Sequence, residues 1–234
     1  MIHLDHLITT KPLQEVIEVM QPWLKDHFGS ASSVNQSGIE ARDAIDEARS
    51  SLAELVAASN AEEIIFTSSG TESINHAIKG VALANKRFGN HIVTTNIEHP
   101  AVMASIAWLE KQGFESSKIK VDKQGRFDPN KLAQSITDKT VLVSLHQANH
   151  DLGVIQPIAE AAKITEQKGI PLFVDATLSG GWLPIDVQQL GIDLLALSPH
   201  RFYGPKGVGV LYKNRRIPVE PLIHGGLQEN ELRA

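Results

Sequence analysis

Five apolar stretches of the 234-residue sequence are each followed by polar residues that could bind a ligand or take part in acid–base chemistry. The stretches cover residues 64–66, 92–95, 141–145, 172–174 and 194–197, and the polar residues after them are residues 67–71, His99, Asn149, Asp175, and Ser198 with His200. Short apolar runs of this kind are typical of buried strands. In open α/β sheets, ligands bind beyond the carboxyl ends of the strands. The sequence therefore predicts one ligand site at one edge of a sheet.

The segment SSGT at residues 68–71 is a candidate anion site, because a helix is predicted to begin near Thr71. A helix N-terminus offers free backbone amides and a partial positive charge, both of which favour a phosphate group. Gly70 has no side chain and would allow the anion to approach the backbone closely. The alternative is an ordinary helix cap, in which Ser69 or Thr71 accepts a hydrogen bond from the helix backbone.

The other polar residues each have a functional and a structural interpretation. Asp175 follows a buried strand directly, and a carboxylate placed there needs a partner. A histidine such as His99 is more often a surface or capping residue, and asparagine, as at Asn149, is a frequent turn residue. The segment HQANHD brings His146, His150 and Asp151 together, but its predicted exit from a strand argues against a shared metal-binding face, so we predict no metal site.

Helical and extended segments alternate from about residue 38 onward, which indicates the fold class. Residues 39–56 carry apolar side chains at helical spacing, and each later apolar run leads into another helical stretch. Pro157 and Gly169 suit the beginning and the end of one such helix. The pattern predicts an α/β fold in three layers, a mostly parallel sheet with helices on both faces, and one domain over residues 1–234.

Composition and charge narrow the classes of protein. The sequence is 42% hydrophobic and 21% charged, as in ordinary soluble proteins, and its net charge of −5 provides no basic surface for nucleic acid. No apolar run approaches the roughly 20 residues that span a bilayer, so we expect a cytoplasmic protein without a membrane partner. The sequence contains no cysteine, which excludes disulfides, cysteine-bound metal and a thiol nucleophile within it.

Ordered motifs along nearly the whole chain resemble the cysteine desulfurases, a family in the class V aminotransferase group of pyridoxal-phosphate (PLP) enzymes of fold type I. They include LDHLITT, EEIIFTSSGTESINHAIKG, IEHPAV, DKQGRFDPNKL, VDAT, LPIDVQQLGIDLLALS, YGPKGVGVLY and LIHGGLQENELR. The resemblance implies the large-domain fold of PLP-dependent transferases, PLP as cofactor and a homodimer. It also implies that the family's small C-terminal domain is absent from this chain, in which case a partner protein could complete it.

The resemblance assigns roles to the residues found above. Gly70 and Thr71 match the phosphate-binding turn, and Ser198 and His200 match residues that contact the phosphate. The remaining matches concern the ring: His99 corresponds to the histidine that stacks on it, Asp175 to the carboxylate at the pyridine nitrogen, and Asn149 to an asparagine beside the phenolic oxygen.

Arg201 is the main departure from the family. It stands where the family has the lysine that forms a Schiff base with PLP, and a guanidinium is too weak a nucleophile for that reaction. Lys206 does not replace this lysine by alignment, because the family carries GPKG in addition. Leu178 replaces a glutamine that bonds to the cofactor, and Ile8 replaces a small residue at the pocket mouth.

These departures predict a catalytically impaired or non-catalytic homologue that binds PLP non-covalently, or no cofactor at all, or acts as a scaffold for a partner. The alternative is an active PLP-dependent desulfurase or lyase that is part of a longer or two-chain assembly. A third interpretation is an engineered lysine-to-arginine variant of an active enzyme. A single engineered change would not explain Leu178 or Ile8 as well, so this third interpretation ranks last.

Overall fold

The computed structural model describes Ile2 and residues 4–234, which form seven helices and seven strands. The helices are α1 (Gln14–Lys25), α2 (Gln36–Leu55), α3 (Gly70–Ala84), α4 (Pro100–Glu110), α5 (Pro129–Ser135), α6 (Ile158–Lys168) and α7 (Val187–Leu190). The strands are β1 (Ile64–Thr67), β2 (His91–Thr95), β3 (Glu115–Ile119), β4 (Thr140–His146), β5 (Leu172–Asp175), β6 (Leu194–Leu197) and β7 (Gly209–Lys213).

The seven strands form a single sheet in the order β1-β7-β6-β5-β4-β2-β3. Strand β7 runs antiparallel to both of its neighbours, and the other pairs in the sheet are parallel. Strands β1 to β6 therefore share one direction. Their carboxyl ends meet at one edge of the sheet, as the sequence predicted for the five strands that carry polar residues.

Helices cover both faces of the sheet and bury two apolar clusters. One cluster packs α3 and α4 against the sheet, and the other packs α5, α6, α7 and the end of α2 against the opposite face. The predicted α/β class, with three layers and a mostly parallel sheet, is confirmed. None of the described helices has both the length and the apolar composition needed to cross a bilayer.

Local sequence signals set the helix ends near the site. Helix α3 begins after Ser69, whose Oγ accepts the Glu72 N–H at 3.1 Å. Helix α4 begins with Pro100, which suits a first turn because proline has no backbone N–H that would need a hydrogen-bond partner. Helix α6 ends at Gly169, which has a φ of 65° in the left-handed region that glycine adopts without strain.

The free edge of β1 is occupied by a pair of charged side chains. Arg49 donates from Nη1 to the carbonyl of Ile64, and Glu229 accepts the N–H of Phe66 at 2.8 Å. The two side chains also bond to each other at 2.8 and 2.9 Å. They satisfy backbone groups that an edge strand otherwise exposes, and they fix the segment around Glu229 beside the sheet.

His76 is a buried imidazole in the middle of α3. Its exposed fraction is 0%, and neither ring nitrogen makes a fully formed hydrogen bond with a described residue, although the backbone of Glu220 lies close enough to favour the charged ring. Burial lowers the pKa of His76, although the charge of Glu72 opposes this effect. The folded protein therefore holds the neutral ring, and folding becomes less favourable as the pH falls below the unfolded pKa of about 6.5.

We expect His76→Leu to stabilise the fold, because leucine is of comparable size and has no unpaired polar atoms. An unsatisfied buried polar group costs about 1–3 kcal/mol, which sets the expected gain in the free energy of unfolding near neutral pH. The gain should grow as the pH is lowered from about 7.5 to about 5, since only the parent must then charge a buried ring. Urea unfolding of the parent and of His76→Leu across this pH range measures the gain. Free energies of unfolding that depend on pH in the same way for both proteins would contradict the prediction.

Candidate functional site

The N-terminus of α3 has the properties of an anion site. The backbone amides of Gly70 and Thr71 have no hydrogen-bond partner among the described residues, whereas the next amide is capped by Ser69. A Cβ on Gly70 would lie 2.7 Å from Cγ2 of Thr177 and 3.1 Å from Cβ of Ser198. Glycine is thus required for the helix to approach the ends of β5 and β6 this closely.

Six of the predicted site residues line one cavity of about 80 Å³ at this helix end. They are Gly70, Thr71, His99, Ser198, His200 and Arg201. The volume is well below the roughly 300–1,000 Å³ of pockets that enclose a drug-sized ligand, so the enclosed part suits a group of phosphate size. Ser198 is 3% exposed, and its hydroxyl is without a hydrogen-bond partner in the described part of the chain.

Asp175 ends β5 and is buried close to this cavity without lining it. Its Oδ1 accepts the backbone N–H of Thr177 at 2.9 Å, and its other oxygen makes no hydrogen bond to the described residues. The charge of Asp175 acts on both His99 and Arg201. A carboxylate with one free oxygen in this position suits a protonated ring nitrogen.

His99 caps the N-terminus of α4 with its side chain. Its Nδ1 accepts the N–H of Ala101 at 3.1 Å, so the ring hydrogen of the neutral form lies on Nε2. Burial lowers the pKa of His99, while the charge of Asp175 opposes the effect and the charges of His150 and Arg201 add to it. The ring stands edge-on to that of His150 at 5.3 Å between centroids. The capping interpretation of His99 thus describes its contacts, and its role against a cofactor ring stays a prediction.

Asn149 is buried, and its amide group connects two loops. Its Nδ2 donates to the carbonyl of Ile97 at 2.8 Å, and its Oδ1 accepts the N–H groups of Asp151 and Leu152 at 2.9 and 2.8 Å. It lies outside the 80 Å³ cavity. The turn interpretation of Asn149 thus describes its contacts, and a role beside a cofactor ring stays a prediction.

His200 and Arg201 form part of a short 3₁₀ turn, Pro199–Arg201, directly after β6. The carbonyl of His200 accepts hydrogen bonds from the N–H and the Oγ1 of Thr10, at 2.8 and 3.0 Å. Nη1 of Arg201 donates to the carbonyl of Leu7 at 2.7 Å. Arg201, which the resemblance places at the family's lysine position, therefore holds the N-terminal segment at Leu7, and burial lowers the pKa of its guanidinium while the charge of Asp175 opposes this effect.

The other residues singled out in the sequence beside Arg201 are Ile8, Lys206 and Leu178. Ile8 and Lys206 line a second cavity of about 350 Å³, which shares Ser69 and His200 with the first. Lys206 is exposed and does not line the cavity at the N-terminus of α3. Leu178 is half-buried three residues after the end of β5.

Nothing in the sequence indicated a buried ion pair between Glu98 and His146. Nδ1 of His146 lies 2.9 Å from Oε2 of Glu98, and Oε1 of Glu98 accepts the hydroxyl of Thr95 at 2.7 Å. His146 and His150 thus contact different partners. In the part of the chain that the structure describes, no three metal-ligating side chains are grouped to hold an ion. The proximity of His146 to a carboxylate 48 residues away has no local signal in the sequence.

The class of protein follows from this sheet edge and from comparison with known proteins. Residues 2–231 match the family model described as aminotransferase class-V, and the chain belongs to that family. Within it the relatives are cysteine desulfurases, so the resemblance recognised from the motifs is confirmed.

Two of these relatives are the cysteine desulfurases IscS of Dictyoglomus turgidum and Methanosarcina thermophila, with 47% and 46% identity over 233 residues. All of this chain is covered in both alignments, but only 59% and 57% of the relatives. Among solved structures, a NifS-like protein gives a TM-score of 0.95 at 35% identity, covering 98% of this chain and 63% of the other. SspA in complex with cysteine gives 0.94 at 36% identity, covering 97% and 66%.

Proposed function

We propose that this chain is a cysteine-desulfurase-like protein that binds PLP without a covalent bond and does not release sulfur from cysteine by itself. The observation that carries the proposal is the contrast between two parts of one site. The anion-binding groups at the N-terminus of α3 are open, whereas Arg201 offers no nucleophilic amine and is bonded to Leu7. The chain also contains no thiol that could accept sulfur.

The residues present fit PLP. The amides of Gly70 and Thr71, with the hydroxyl of Ser198, would hold the phosphate, because each has a hydrogen to donate and no partner among the described residues. His99 would lie against the ring, and the free oxygen of Asp175 would pair with the protonated pyridine nitrogen. When bound, PLP supplies an electron-withdrawing ring that stabilises negative charge on an attached amino acid.

The alternative is an active desulfurase in which further protein completes this chain. It is favoured by one observation: the chain spans less than two thirds of the length of the curated relatives it matches. Sulfide release from cysteine, measured with PLP and a reductant, separates the two proposals. Release by the purified chain alone would overturn the non-catalytic proposal. The homodimer and the cytoplasmic location expected from the sequence stay predictions.

We expect the purified chain to bind PLP saturably in equilibrium dialysis, with inorganic phosphate competing for the site. After borohydride reduction and denaturation, no stoichiometric label should stay on the protein, because none of the described lysines lines the cavity at the N-terminus of α3. Asp175→Asn should weaken binding by roughly tenfold to a hundredfold, since a hydrogen bond to a charged group is worth about 1.5–3 kcal/mol.

Asp138→Asn is the matched control, because Asp138 is exposed and belongs to the loop at the opposite end of β4. This variant should bind PLP like the parent. Absence of saturable binding in the parent would refute the binding proposal, and a borohydride-fixed label at one lysine would refute its non-covalent character. Equal losses of PLP affinity in Asp175→Asn and Asp138→Asn would show that Asp175 does not bind the cofactor.

A further inference from the structure

A further cavity, of about 400 Å³, lies at the opposite edge of the sheet from the N-terminus of α3. Its lining comes from three segments, residues 166–171, 187–193 and 212–217. Because β7 runs antiparallel to β6, the end of β7 lies beside the beginning of β6, and the three segments meet there. This distal cavity has the volume of a small-molecule pocket and shares no lining residue with the two cavities described above.

Asp193 provides a carboxylate with an unused oxygen at the distal cavity. Its Oδ2 accepts the N–H of Leu172 at 2.9 Å, whereas its Oδ1 makes no hydrogen bond with the described residues. None of the described cations forms an ion pair with it. Burial raises the pKa of Asp193 and the charge of Glu166 adds to this effect, while the bond to Leu172 and the charge of Arg216 oppose it. Two carboxylates in one lining favour a cationic ligand group such as an ammonium.

Arg216 provides the opposite charge in the same lining. Its side chain is exposed and makes neither a hydrogen bond nor an ion pair with any residue that the structure describes. The turn that carries it is fixed to Asp193, because the N–H of Asn214 donates to the carbonyl of Asp193 at 2.8 Å and Oδ1 of Asn214 accepts the N–H of Arg216 at 3.0 Å. A free guanidinium in this position can bind a carboxylate through two parallel hydrogen bonds.

The rest of the lining is largely apolar. It includes the side chains of Ile170, Pro171, Val187, Ile192 and Ile217. Tyr212 also belongs to it, and its buried hydroxyl makes no fully formed hydrogen bond with a described residue, although the side chain of Asn214 lies close to it. A buried polar group with incomplete hydrogen bonding needs an explanation, and a polar ligand atom at this wall would supply one. The cavity thus combines both charges with a surface that suits an aliphatic group.

We propose that the distal cavity binds a free aliphatic α-amino acid, with Asp193 and Glu166 at its ammonium group and Arg216 at its carboxylate. A zwitterion neutralises both kinds of charge at once, whereas a simple amine or a simple carboxylic acid leaves one of them without a partner. The apolar residues account for the aliphatic side chain. The site is separate from the proposed PLP site, which lies at the other edge of the sheet, and no bond is made or broken there.

Equilibrium dialysis of the purified chain with three probes of one carbon skeleton tests this proposal. L-Leucine carries both charged groups, isopentylamine lacks the carboxylate, and 4-methylpentanoate lacks the ammonium. PLP is left out, because its aldehyde reacts with amines. We expect leucine to bind saturably and at least about tenfold more tightly than either of the other probes, as the loss of one charge-assisted interaction predicts.

Two variants assign the charged groups. Asp193→Asn and Arg216→Gln should each weaken leucine binding at least about tenfold. In Arg216→Gln, leucine and isopentylamine should bind with similar affinity, because no group remains to recognise the carboxylate. If Asp193→Asn fails to fold, Arg216→Gln still decides the test, since it changes an exposed side chain without a described partner.

Arg126→Gln and Asp43→Asn are the matched controls. Both residues are exposed and lie outside the distal cavity, Arg126 in the loop between β3 and α5 and Asp43 on α2. Both variants should bind leucine like the parent. Losses as large as those of Asp193→Asn and Arg216→Gln would show that general charge, rather than the cavity, determines binding.

The remaining outcomes separate this proposal from the proposed function. Absence of saturable leucine binding, or equal affinity for all three probes, would overturn the amino-acid site and leave the PLP proposal untouched. Leucine binding that is lost in Arg201→Gln but kept in Arg216→Gln would place the amino acid at the N-terminus of α3 and would equally overturn the distal site.

Discussion

Arg201→Lys is expected to turn the proposed PLP site into one that PLP labels covalently. The substitution places a primary amine directly after His200, beside the cavity at the N-terminus of α3. A lysine amine condenses with an aldehyde with loss of water, whereas a guanidinium does not react in this way. Phosphate and ring binding would hold the aldehyde close to that amine and raise its effective concentration.

The measurement is borohydride reduction of the PLP-treated variant, followed by peptide mass spectrometry. We expect close to one label per chain at position 201 of Arg201→Lys, with a visible absorption band that disappears on reduction. Arg87→Lys is the matched control, because it adds an exposed lysine far from the site and should stay at the background level. Labelling spread over the native lysines of Arg201→Lys would show that the cavity does not orient the cofactor.

The substitution also removes a structural contact. The hydrogen bond from Arg201 to the carbonyl of Leu7 helps to hold the N-terminal segment, and a typical hydrogen bond contributes about 1 kcal/mol. A small loss of stability should therefore accompany the gain of covalent binding. Restored cysteine desulfuration is not expected from this change alone, because the chain still lacks a thiol to accept sulfur.

The position of the site at one edge of the sheet could be predicted from the sequence, because it depends only on the direction in which each strand runs. Polar residues after apolar runs mark the carboxyl ends of strands, and six parallel-running strands bring those ends together. The sequence thus located the cavity around Gly70, His99 and Ser198 without any knowledge of side-chain direction. The resemblance to a family then supplied roles that the pattern alone left open.

Side-chain partners distant in sequence were not predictable. Arg201 bonds to Leu7, 194 residues away, and Asn149 bonds to Ile97, 52 residues away. Residue type and spacing carry no information about such contacts, which depend on how loops meet after the sheet has formed.

Two elements lie outside the alternation of helices and strands that the sequence displayed. Helix α1 has no buried residue and contains Pro22, so its pattern does not reflect packing into the core. Strand β3 lies at the edge of the sheet and reads ESSKI, in which only Ile119 is buried. Edge strands can remain polar because one side of their backbone faces solvent.

Glu98→Ala should cause a large loss of stability. Glu98 precedes His99, and its side chain is 0% exposed, while that of His146 is 4% exposed. Removing one partner of a buried charged pair leaves the other without compensation and costs about 3–5 kcal/mol. Glu98→Gln keeps the size and the capacity to bond Thr95 but not the charge, so it should lose less. The free energy of unfolding in urea measures each change.

The contact between Glu98 and His146 can be isolated with a double-mutant cycle. If the 2.9 Å contact carries the effect, the variant with alanine at both positions should be more stable than the sum of the single losses predicts, by about 0.5–3 kcal/mol. Asp151→Ala is the control, because Asp151 is 80% exposed in its contact with His150 and an exposed pair contributes at most about 1 kcal/mol. Strict additivity of the Glu98 and His146 losses would mean that the two side chains stabilise the fold separately. If the two losses are coupled, the contact between Glu98 and His146 holds the loop that carries His99. PLP affinity should then fall in Glu98→Ala at temperatures at which the variant is still folded.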